Sequence, residues 1–382
     1  MKPRERVLAA LNHQEPDKTP IDCGGTQVSS LTLVANDRLK DFLHFTQSGE
    51  FITCPLTESI QPVEEILTLF ETEFRTVRLK GPSQGSGKGF AAYGIVRNPP
   101  GHEYSDDLGT VWRKAVYDYA PVEYSLAGLS TSDLDKFPWP DPYDPGRVQG
   151  LRQETQALRE NSDFAIVSDI MVGGPFEQAV RSRGAEQFMI DLAWDPKFAQ
   201  TLLDKLTDVA MGMWDVQLNA IGDLVDVVCQ GDDLGMQTGM QISPLMYRKF
   251  VKPCHERMFS FIHSKTKAKL FLHSCGSVYS IIPDLIEIGL DILNPVQVGA
   301  KNMGLQLLKK EFGKDLSFWG GGIDIQRLPF MSLDEIRDAV KKALDVMALD
   351  GGYVFAATHN ILPETEGEKT YVAFTSAVND RC

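Results

Sequence analysis

A histidine and a cysteine lie two residues apart at the end of an apolar run, in the segment KLFLHSCGSVYS (269–280). In a β-strand the side chains of residues i and i+2 point to the same side, so His273 and Cys275 would face one space. Zinc binds imidazole nitrogen and thiolate sulfur, and a catalytic zinc has three protein ligands and one open position. The pair also fits a small buried cysteine beside a hydrogen-bonded core histidine, so a metal site requires a third ligand.

Two residues are candidates for that third ligand. His359 directly follows the last predicted strand, and Cys229 ends the fourth. His359 could instead cap a helix or bind substrate by a hydrogen bond. We predict a zinc site formed by His273, Cys275 and His359, with Cys229 as the alternative to His359.

Other polar residues follow the predicted strands and are candidates for proton transfer or for substrate binding. The candidate catalytic residues, which could donate a proton or orient a substrate, are Asp169, Asp233 and Asp324. The candidate substrate-binding residues are Asp22, Gln230, Asn294, Gln297 and Asn360. Any of the carboxylates could instead cap the helix that follows it.

Eight short apolar runs alternate with amphipathic helical patterns along the chain. The runs are TPIDCG (19–24), FRTVRL (74–79), FAIVSDI (164–170), LVDVVCQG (224–231), KLFLHSC (269–275), LDILNPV (290–296), LSFWGGGI (316–323) and GYVFAAT (352–358). Most are apolar at consecutive positions, as expected of strands that are covered on both faces. Eight alternating strands and helices predict an α/β fold of the (β/α)8 TIM-barrel type, with functional residues at the carboxyl ends of the strands.

Residues 81–145 depart from this alternation because they are rich in glycine, proline and aromatic residues. We predict that they form a small antiparallel β-rich flap with loops, inserted after the second strand. The whole chain, 1–382, is then a single barrel domain that carries this insertion.

The composition argues against several classes of protein. The net charge is −14, from 52 acidic and 38 basic residues, and no dense run of lysine and arginine suggests nucleic-acid binding. No apolar stretch approaches the roughly 20 residues that span a bilayer, and the first 20 residues do not resemble a secretory signal. Because the six cysteines lack the spacing of a disulfide framework, we expect reduced thiols in a cytoplasmic protein.

Segments along nearly the whole chain resemble the uroporphyrinogen decarboxylase superfamily. They are RERVLAALNHQEPDKTPID, GDDLGMQTGMQISPLMYRKFVKP, FLHSCGSVYSIIPDLIEIGLDILNPVQ, FWGGGID and GGYVFAATHNILPE. Within the superfamily the chain resembles the zinc-dependent, corrinoid-linked methyltransferase branch. The stretch IDCGGTQVSSLTL lacks the arginines of the R-Q-A-G-R-Y loop that holds porphyrinogen carboxylates in the decarboxylases. The chain also has an H-x-C-G motif (273–276), which the metal-free decarboxylases do not need.

The resemblance implies a barrel with zinc in its mouth, bound by His273, Cys275 and a ligand after the last strand. In the methylcobamide:coenzyme M methyltransferases that last ligand is typically cysteine, whereas His359 occupies the position here. Gln297 is the expected occupant of a position that is acidic in those enzymes. A site with one thiolate carries less negative charge and is a stronger Lewis acid than a site with two. These departures argue against coenzyme M, and against thiols generally, as the methyl acceptor.

The implied activity is transfer of a methyl group between a small methylated substrate, or a thiol or pterin acceptor, and a corrinoid (cobalamin), with zinc stabilising charge on the heteroatom. The chain has no cobalamin-binding D-x-H-x-x-G stretch, so we expect the corrinoid on a separate protein that docks at the barrel mouth. The alternatives are a divergent decarboxylase of polycarboxylates and a non-catalytic corrinoid or tetrapyrrole binder. Bound metal distinguishes the first function from both alternatives.

Overall fold

The structure is a computed structural model that describes residues 1–83, 89–90, 102–116, 118–169 and 173–381. Its strands, in chain order, are β1 (Leu31–Thr32), β2 (Phe51–Cys54), β3 (Ser59–Gln61), β4 (Phe74–Val77), β5 (Gly89–Phe90), β6 (Glu103–Asp106), β7 (Val111–Lys114), β8 (Tyr119–Glu123), β9 (Ala165–Ser168), β10 (Val227–Gly231), β11 (Gly235–Met236), β12 (Gly239–Met240), β13 (Lys269–His273), β14 (Ile292–Asn294), β15 (Ser317–Trp319) and β16 (Tyr353–Val354).

The helices, in chain order, are α1 (Pro3–Leu11), α2 (Leu33–Leu43), α3 (Glu64–Leu69), α4 (Thr131–Leu134), α5 (Leu151–Asn161), α6 (Pro175–Arg183), α7 (Ala185–Trp194), α8 (Pro196–Ile221), α9 (Pro244–Met246), α10 (Lys252–Lys265), α11 (Ile282–Glu287), α12 (Leu305–Phe312), α13 (Leu333–Met347) and α14 (Gly367–Asp380). A π-helical turn, Tyr247–Val251, joins α9 to α10. Within the described ranges, none of these helices combines the length and the apolar character needed to cross a membrane.

Seven strands form one curved parallel sheet in the order β16-β15-β14-β13-β10-β9-β4. The sheet closes through the first predicted strand, because Ile21 forms a parallel bridge with Phe355 and its carbonyl accepts a hydrogen bond from the amide of Glu73. The predicted (β/α)8 barrel is therefore confirmed. Its first strand is reduced to this bridge, while the other seven apolar runs all contain a strand of the sheet.

The barrel interior is filled by side chains from successive strands. This inner layer contains Phe74, Val167, Cys229, Phe271 and Trp319, all fully buried. A second, larger cluster lies between the strands and the surrounding helices. Filling of the interior makes the barrel a packed core rather than a pore, and this rigid core supports the loops at the carboxyl ends of the strands.

The region after β4 contains the predicted insertion, and its sheet has the order β5-β6-β7-β8. The prediction of an antiparallel flap needs correction, because β5 pairs in parallel with β6, whereas β6, β7 and β8 are antiparallel. Residues 84–88, 91–101 and 117 of the predicted insertion lie outside the described residues. We use the name flap for residues 102–116 and 118–123, which carry β6 to β8 and bury Tyr104, Trp112 and Tyr119 in a small aromatic cluster.

Asn360 joins the loop after β16 to the loop after the first predicted strand, and we call this junction the seam. Its Oδ1 accepts a hydrogen bond from the amide of Ser30 at 2.8 Å, and its Nδ2 donates to the carbonyl of Gln27 at 2.9 Å and to Oγ of Ser59 at 2.5 Å. Asn360 is 2% exposed. The side chain therefore satisfies buried groups in the loops after the first strand and joins them to the loop after β16.

We expect Asn360→Ala to lower the free energy of unfolding by about 2 kcal/mol or more, because Gln27, Ser30 and Ser59 each lose a hydrogen bond. Urea unfolding followed by circular dichroism measures the change. Asn219→Ala, at an exposed position of α8, is the matched control and should leave stability nearly unchanged. Equal stability of the Asn360→Ala variant and the unsubstituted protein would contradict this account of the seam.

Candidate metal centre

The structure brings the three preferred ligand residues together. One ligand atom from each of His273, Cys275 and His359 lies within 4.8 Å of the others, and Cys275 Sγ is 3.4 Å from His273 Nε2. Bond lengths of 2.0–2.3 Å in a tetrahedral zinc site put ligand atoms roughly 3.3–3.7 Å apart. The histidine–cysteine pair already has this spacing, and the ligand atom of His359 lies within 4.8 Å of both.

The alternative third ligand, Cys229, lies elsewhere. It is fully buried in the inner layer of the barrel, and its register partner on β13 is Phe271, two residues before His273. Burial raises the pKa of its thiol well above the usual range. The pleat turns Cys229, Phe271 and His273 to the same interior, but Cys229 lies one layer deeper than His273. The cluster of possible ligands in the described residues contains His359 and not Cys229.

The ring of His273 is oriented by Asn294 on the neighbouring strand. The two residues are register partners, and His273 Nδ1 lies 2.6 Å from Asn294 Oδ1. Asn294 Nδ2 donates to the carbonyl of Trp319 at 2.8 Å, which identifies Oδ1 as the atom that faces the histidine. His273 Nδ1 must therefore carry the proton of the neutral ring, and the lone pair of Nε2 is left facing Cys275.

Burial shifts the pKa values of two of the three candidate ligands, His359 and Cys275. It lowers the pKa of His359 to about 4, and the nearby His273 adds to this effect. Burial, together with the carboxylates of Asp233 and Glu177, raises the pKa of the Cys275 thiol well above its usual range. A neutral His359 imidazole and a thiol that a nearby cation would help to ionise fit a divalent metal site.

The loop that carries Cys275 is fixed by two further predicted residues. The amide of Cys275 donates to Asp233 Oδ1 at 2.8 Å, and the amide of Gly276 donates to Gln297 Oε1 at 2.7 Å. Gly276 has φ +79°, and a Cβ built there would lie 2.5 Å from the backbone of Gly235. Gln297 and Asp233 therefore lie at the cluster, and glycine is required where the two loops meet.

Among the predicted catalytic carboxylates, Asp233 lies against the cluster. Its Oδ1 is 3.8 Å from His273 Nε2, and its side chain is 30% exposed. Asp169 is buried and forms an ion pair with Arg78 at 2.9 Å. Asp324 Oδ1 accepts the amide of Gln326 within its own turn, and its side chain lines a separate cavity of about 310 Å³ between the β15 loop and α13. Of the three predicted carboxylates, Asp233 is therefore the one whose described contacts include the candidate ligands His273 and Cys275.

Two predicted substrate-binding residues are part of internal hydrogen-bond networks. Asp22 is fully buried, accepts hydrogen bonds from the Ser29 hydroxyl and from Trp319 Nε1, and has its pKa raised to about 7 by burial. Gln230 accepts from Trp214 Nε1 at 2.8 Å and donates to the carbonyl of Gly231 at 2.7 Å. These contacts position neighbouring elements, and direct binding of substrate by either residue stays a prediction.

Two charged residues near the cluster were not predicted. Glu177 and Arg181 form an ion pair on α6, and Glu177 interacts with Asp233. Burial raises the pKa of Glu177 above its usual range, although Arg181 opposes the shift. The sequence did contain a sign of this pair, the i,i+4 spacing of Glu177 and Arg181 in GPFEQAVRSR (174–183), soon after the third predicted strand (164–170). Such a pair usually lies on a solvated helix face, so it did not indicate a site.

The chain is similar to a known protein family and to solved structures. Residues 120–380 match the family model described as uroporphyrinogen decarboxylase (URO-D). A solved methyltransferase from Methanosarcina mazei is similar over 99% of each chain, with 19% sequence identity and a TM-score of 0.64. A B12-independent methionine synthase from Shewanella sp. W3-18-1 shares 13% identity over 60% of this chain and 65% of its own, with a TM-score of 0.37. No curated protein matches the chain. The Methanosarcina mazei structure shows that the two chains share a fold.

We expect His273 to carry its proton on Nδ1, because Asn294 Oδ1 can only accept a hydrogen bond. Nitrogen-15 NMR of histidine-labelled, metal-free protein measures the tautomer. In Asn294→Leu the Nδ1 proton loses its partner, so both tautomers should be populated. His255, which is held by Asp232 at 2.8 Å, is the internal control and should not change. Protonation of His273 on Nε2 in the unsubstituted protein would contradict this assignment.

Proposed function

The chain belongs to the uroporphyrinogen decarboxylase family, and within that family we propose that it is a methyltransferase rather than a decarboxylase. In this proposal a zinc ion is held by His273, Cys275 and His359, and a methyl group passes between a small methylated compound and a corrinoid on a separate protein. The convergence of these three side chains at the carboxyl ends of β13 and β16 carries the proposal. A barrel of similar fold, from Methanosarcina mazei, is itself described as a methyltransferase, which agrees with it.

The residues around the cluster have distinct parts in this proposal. Asn294 holds His273 so that Nε2 faces the metal position, while Asp233 and Gln297 hold the two successive amides of the Cys275 loop. When bound, zinc would supply a Lewis acid for the heteroatom of the methylated group. Asp233, partly exposed and adjacent to His273, is the carboxylate we assign to orient the substrate or to handle its proton.

The alternative, decarboxylation of a polycarboxylate, requires cationic groups that are able to bind carboxylates. The first strand and its loop, residues 21–33, contain no arginine. Arg78 lies near this loop, but its guanidinium is already bound to Asp169 and donates to Gln61. The partly exposed Asp233 adds negative charge at the mouth of the barrel, which opposes a polyanionic substrate.

We expect the purified protein to bind about one zinc ion per chain, because three ligands can close around it. Cys275→Ser and His359→Ala should each lose most of the metal and remain folded, since both side chains are only partly buried at the rim of the core. Cys54→Ser removes a thiol outside the cluster and is the matched control. Elemental analysis after dialysis measures the metal. Unchanged zinc content in both ligand variants would exclude this centre.

We expect the zinc-loaded protein to consume cob(I)alamin when it is given a methylated substrate, and to do so faster with a reduced corrinoid protein. Docking contacts orient the corrin relative to the methyl carbon, whereas free cobalamin must find that geometry by diffusion. The loss of cob(I) absorbance is followed with methyl ethers, thioethers and methylamines, and Cys275→Ser serves as the control.

A parallel assay supplies uroporphyrinogen and measures coproporphyrinogen. Formation of that product at a catalytic rate, with no consumption of cob(I) by any methylated compound, would favour the decarboxylase. Absence of both reactions, together with tight binding of a corrinoid, would favour a non-catalytic binder.

A further inference from the structure

Helix α6 connects the flap region to the loop after β10. At its beginning, Asp232 accepts hydrogen bonds from the amides of Phe176, at 3.3 Å, and Glu177, at 2.7 Å. At its end, the carbonyl of Ser182 accepts the amide of Leu126, which follows the flap, at 2.9 Å. Movement of the flap and movement of the β10 loop are therefore both opposed by the same helix.

Arg181 lies on α6 between the two regions. Its guanidinium pairs with Glu177 and lies 5.7 Å from the centre of the Trp112 ring, within the range of a cation–π contact. The indole of Trp112 is itself fixed, because Nε1 donates to Asp106 Oδ2 at 2.9 Å and the ring stacks on Tyr104. Arg181 thus contacts a rigid part of the flap.

From Glu177 the contacts continue to a predicted metal ligand. The amide of Glu177 donates to Asp232 Oδ1 at 2.7 Å, and the next residue, Asp233, accepts the amide of Cys275 through Oδ1 at 2.8 Å. The side chains of Glu177 and Arg181 are 12% and 29% exposed, so the pair is more shielded from water than a pair on a solvated helix face. A continuous series of contacts joins Trp112 to Cys275.

We propose that Arg181 is a positioning residue that couples the flap to the loop carrying Cys275. Loosening of the flap at Trp112 releases Arg181, weakens its hold on Glu177, and loosens the hydrogen bond between Cys275 and Asp233. Because the flap follows a carboxyl end of the barrel sheet, a substrate or protein that moves the flap changes the position of the thiol. This consequence rests on the proposed metal site, whereas the coupling itself does not.

The flap has attachments that do not depend on Arg181, and these permit a clean test. Lys114 pairs with Glu58, and the amide of Tyr119 donates to the carbonyl of Leu56 at 3.0 Å. Arg181→Met keeps the length of the side chain and removes its charge, and we expect it to fold. Arg337→Met, which breaks the exposed pair with Asp334 on α13, is the matched control.

Amide hydrogen exchange of the peptide containing Cys275 is the first measurement. We expect exchange at this amide to be at least roughly fivefold faster in Arg181→Met and in Trp112→Leu, a typical size for coupling between sites. The double variant should show little further acceleration, because both substitutions interrupt one series of contacts. Arg181→Lys, which can restore the ion pair, should recover part of the protection, and Arg337→Met should match the unsubstituted protein.

A purely structural part for Arg181 gives a different result. In that case Trp112→Leu would accelerate exchange in the flap alone. The Cys275 amide would exchange at the same rate in both single variants as in the unsubstituted protein. This result would overturn the proposal. The second measurement is the thiolate-to-cobalt charge-transfer band of the cobalt-substituted protein, which should shift in Arg181→Met and in Trp112→Leu. Failure of the unsubstituted protein to bind cobalt or zinc would count against the metal centre, and hydrogen exchange would still decide the coupling.

Discussion

A neutral imidazole has one nitrogen that donates and one that accepts a hydrogen bond, so a single neighbour can decide which nitrogen is available to a metal. In this barrel that neighbour is Asn294, whose oxygen faces His273 and whose amide nitrogen is engaged by the carbonyl of Trp319. The contact depends on the parallel register of β13, β14 and β15, which sets these residues side by side. Cys275 and His359 can share a metal with His273 only because this contact leaves the lone pair of Nε2 free to bind it.

The charges around the cluster form a second constraint. Three acidic residues lie close together where α6 meets the loop after β10: Glu177, Asp232 and Asp233. Among the described residues, Arg181 pairs with Glu177, and His255 pairs with Asp232. Negative charge in such a place disfavours a free thiolate at Cys275 and favours a bound divalent cation. The same side of the barrel is therefore unfavourable to an anionic substrate and well suited to a metal ion.

The fold was predictable from the sequence because strands buried on both faces are apolar at consecutive positions, and seven such runs lie in the sheet. The meeting of His273, Cys275 and His359 was predictable because strand ends of a barrel converge. Cys229 faces the same interior as His273 but lies one layer deeper, among packed side chains, and a sequence pattern does not show this depth. Asp22 and Gln230 lie near strand ends as predicted, but their oxygens accept hydrogen bonds from tryptophan side chains of other elements. The spacing of residues along a strand predicts the position of a side chain in the barrel. It does not predict which group of another element forms a hydrogen bond with that side chain.

The meeting of Gly276 with Gly235 has a consequence for how this site can be inherited. A Cβ on Gly235 would lie 2.5 Å from the carbonyl oxygen of Cys275, and one on Gly276 would lie as close to the backbone of Gly235. Neither loop can gain a side chain there without displacing the cysteine. In the genes of relatives, these two glycines and the histidine–cysteine pair should thus be retained or lost as one unit, and a homologue that has exchanged either glycine has abandoned this ligand geometry whatever else it keeps.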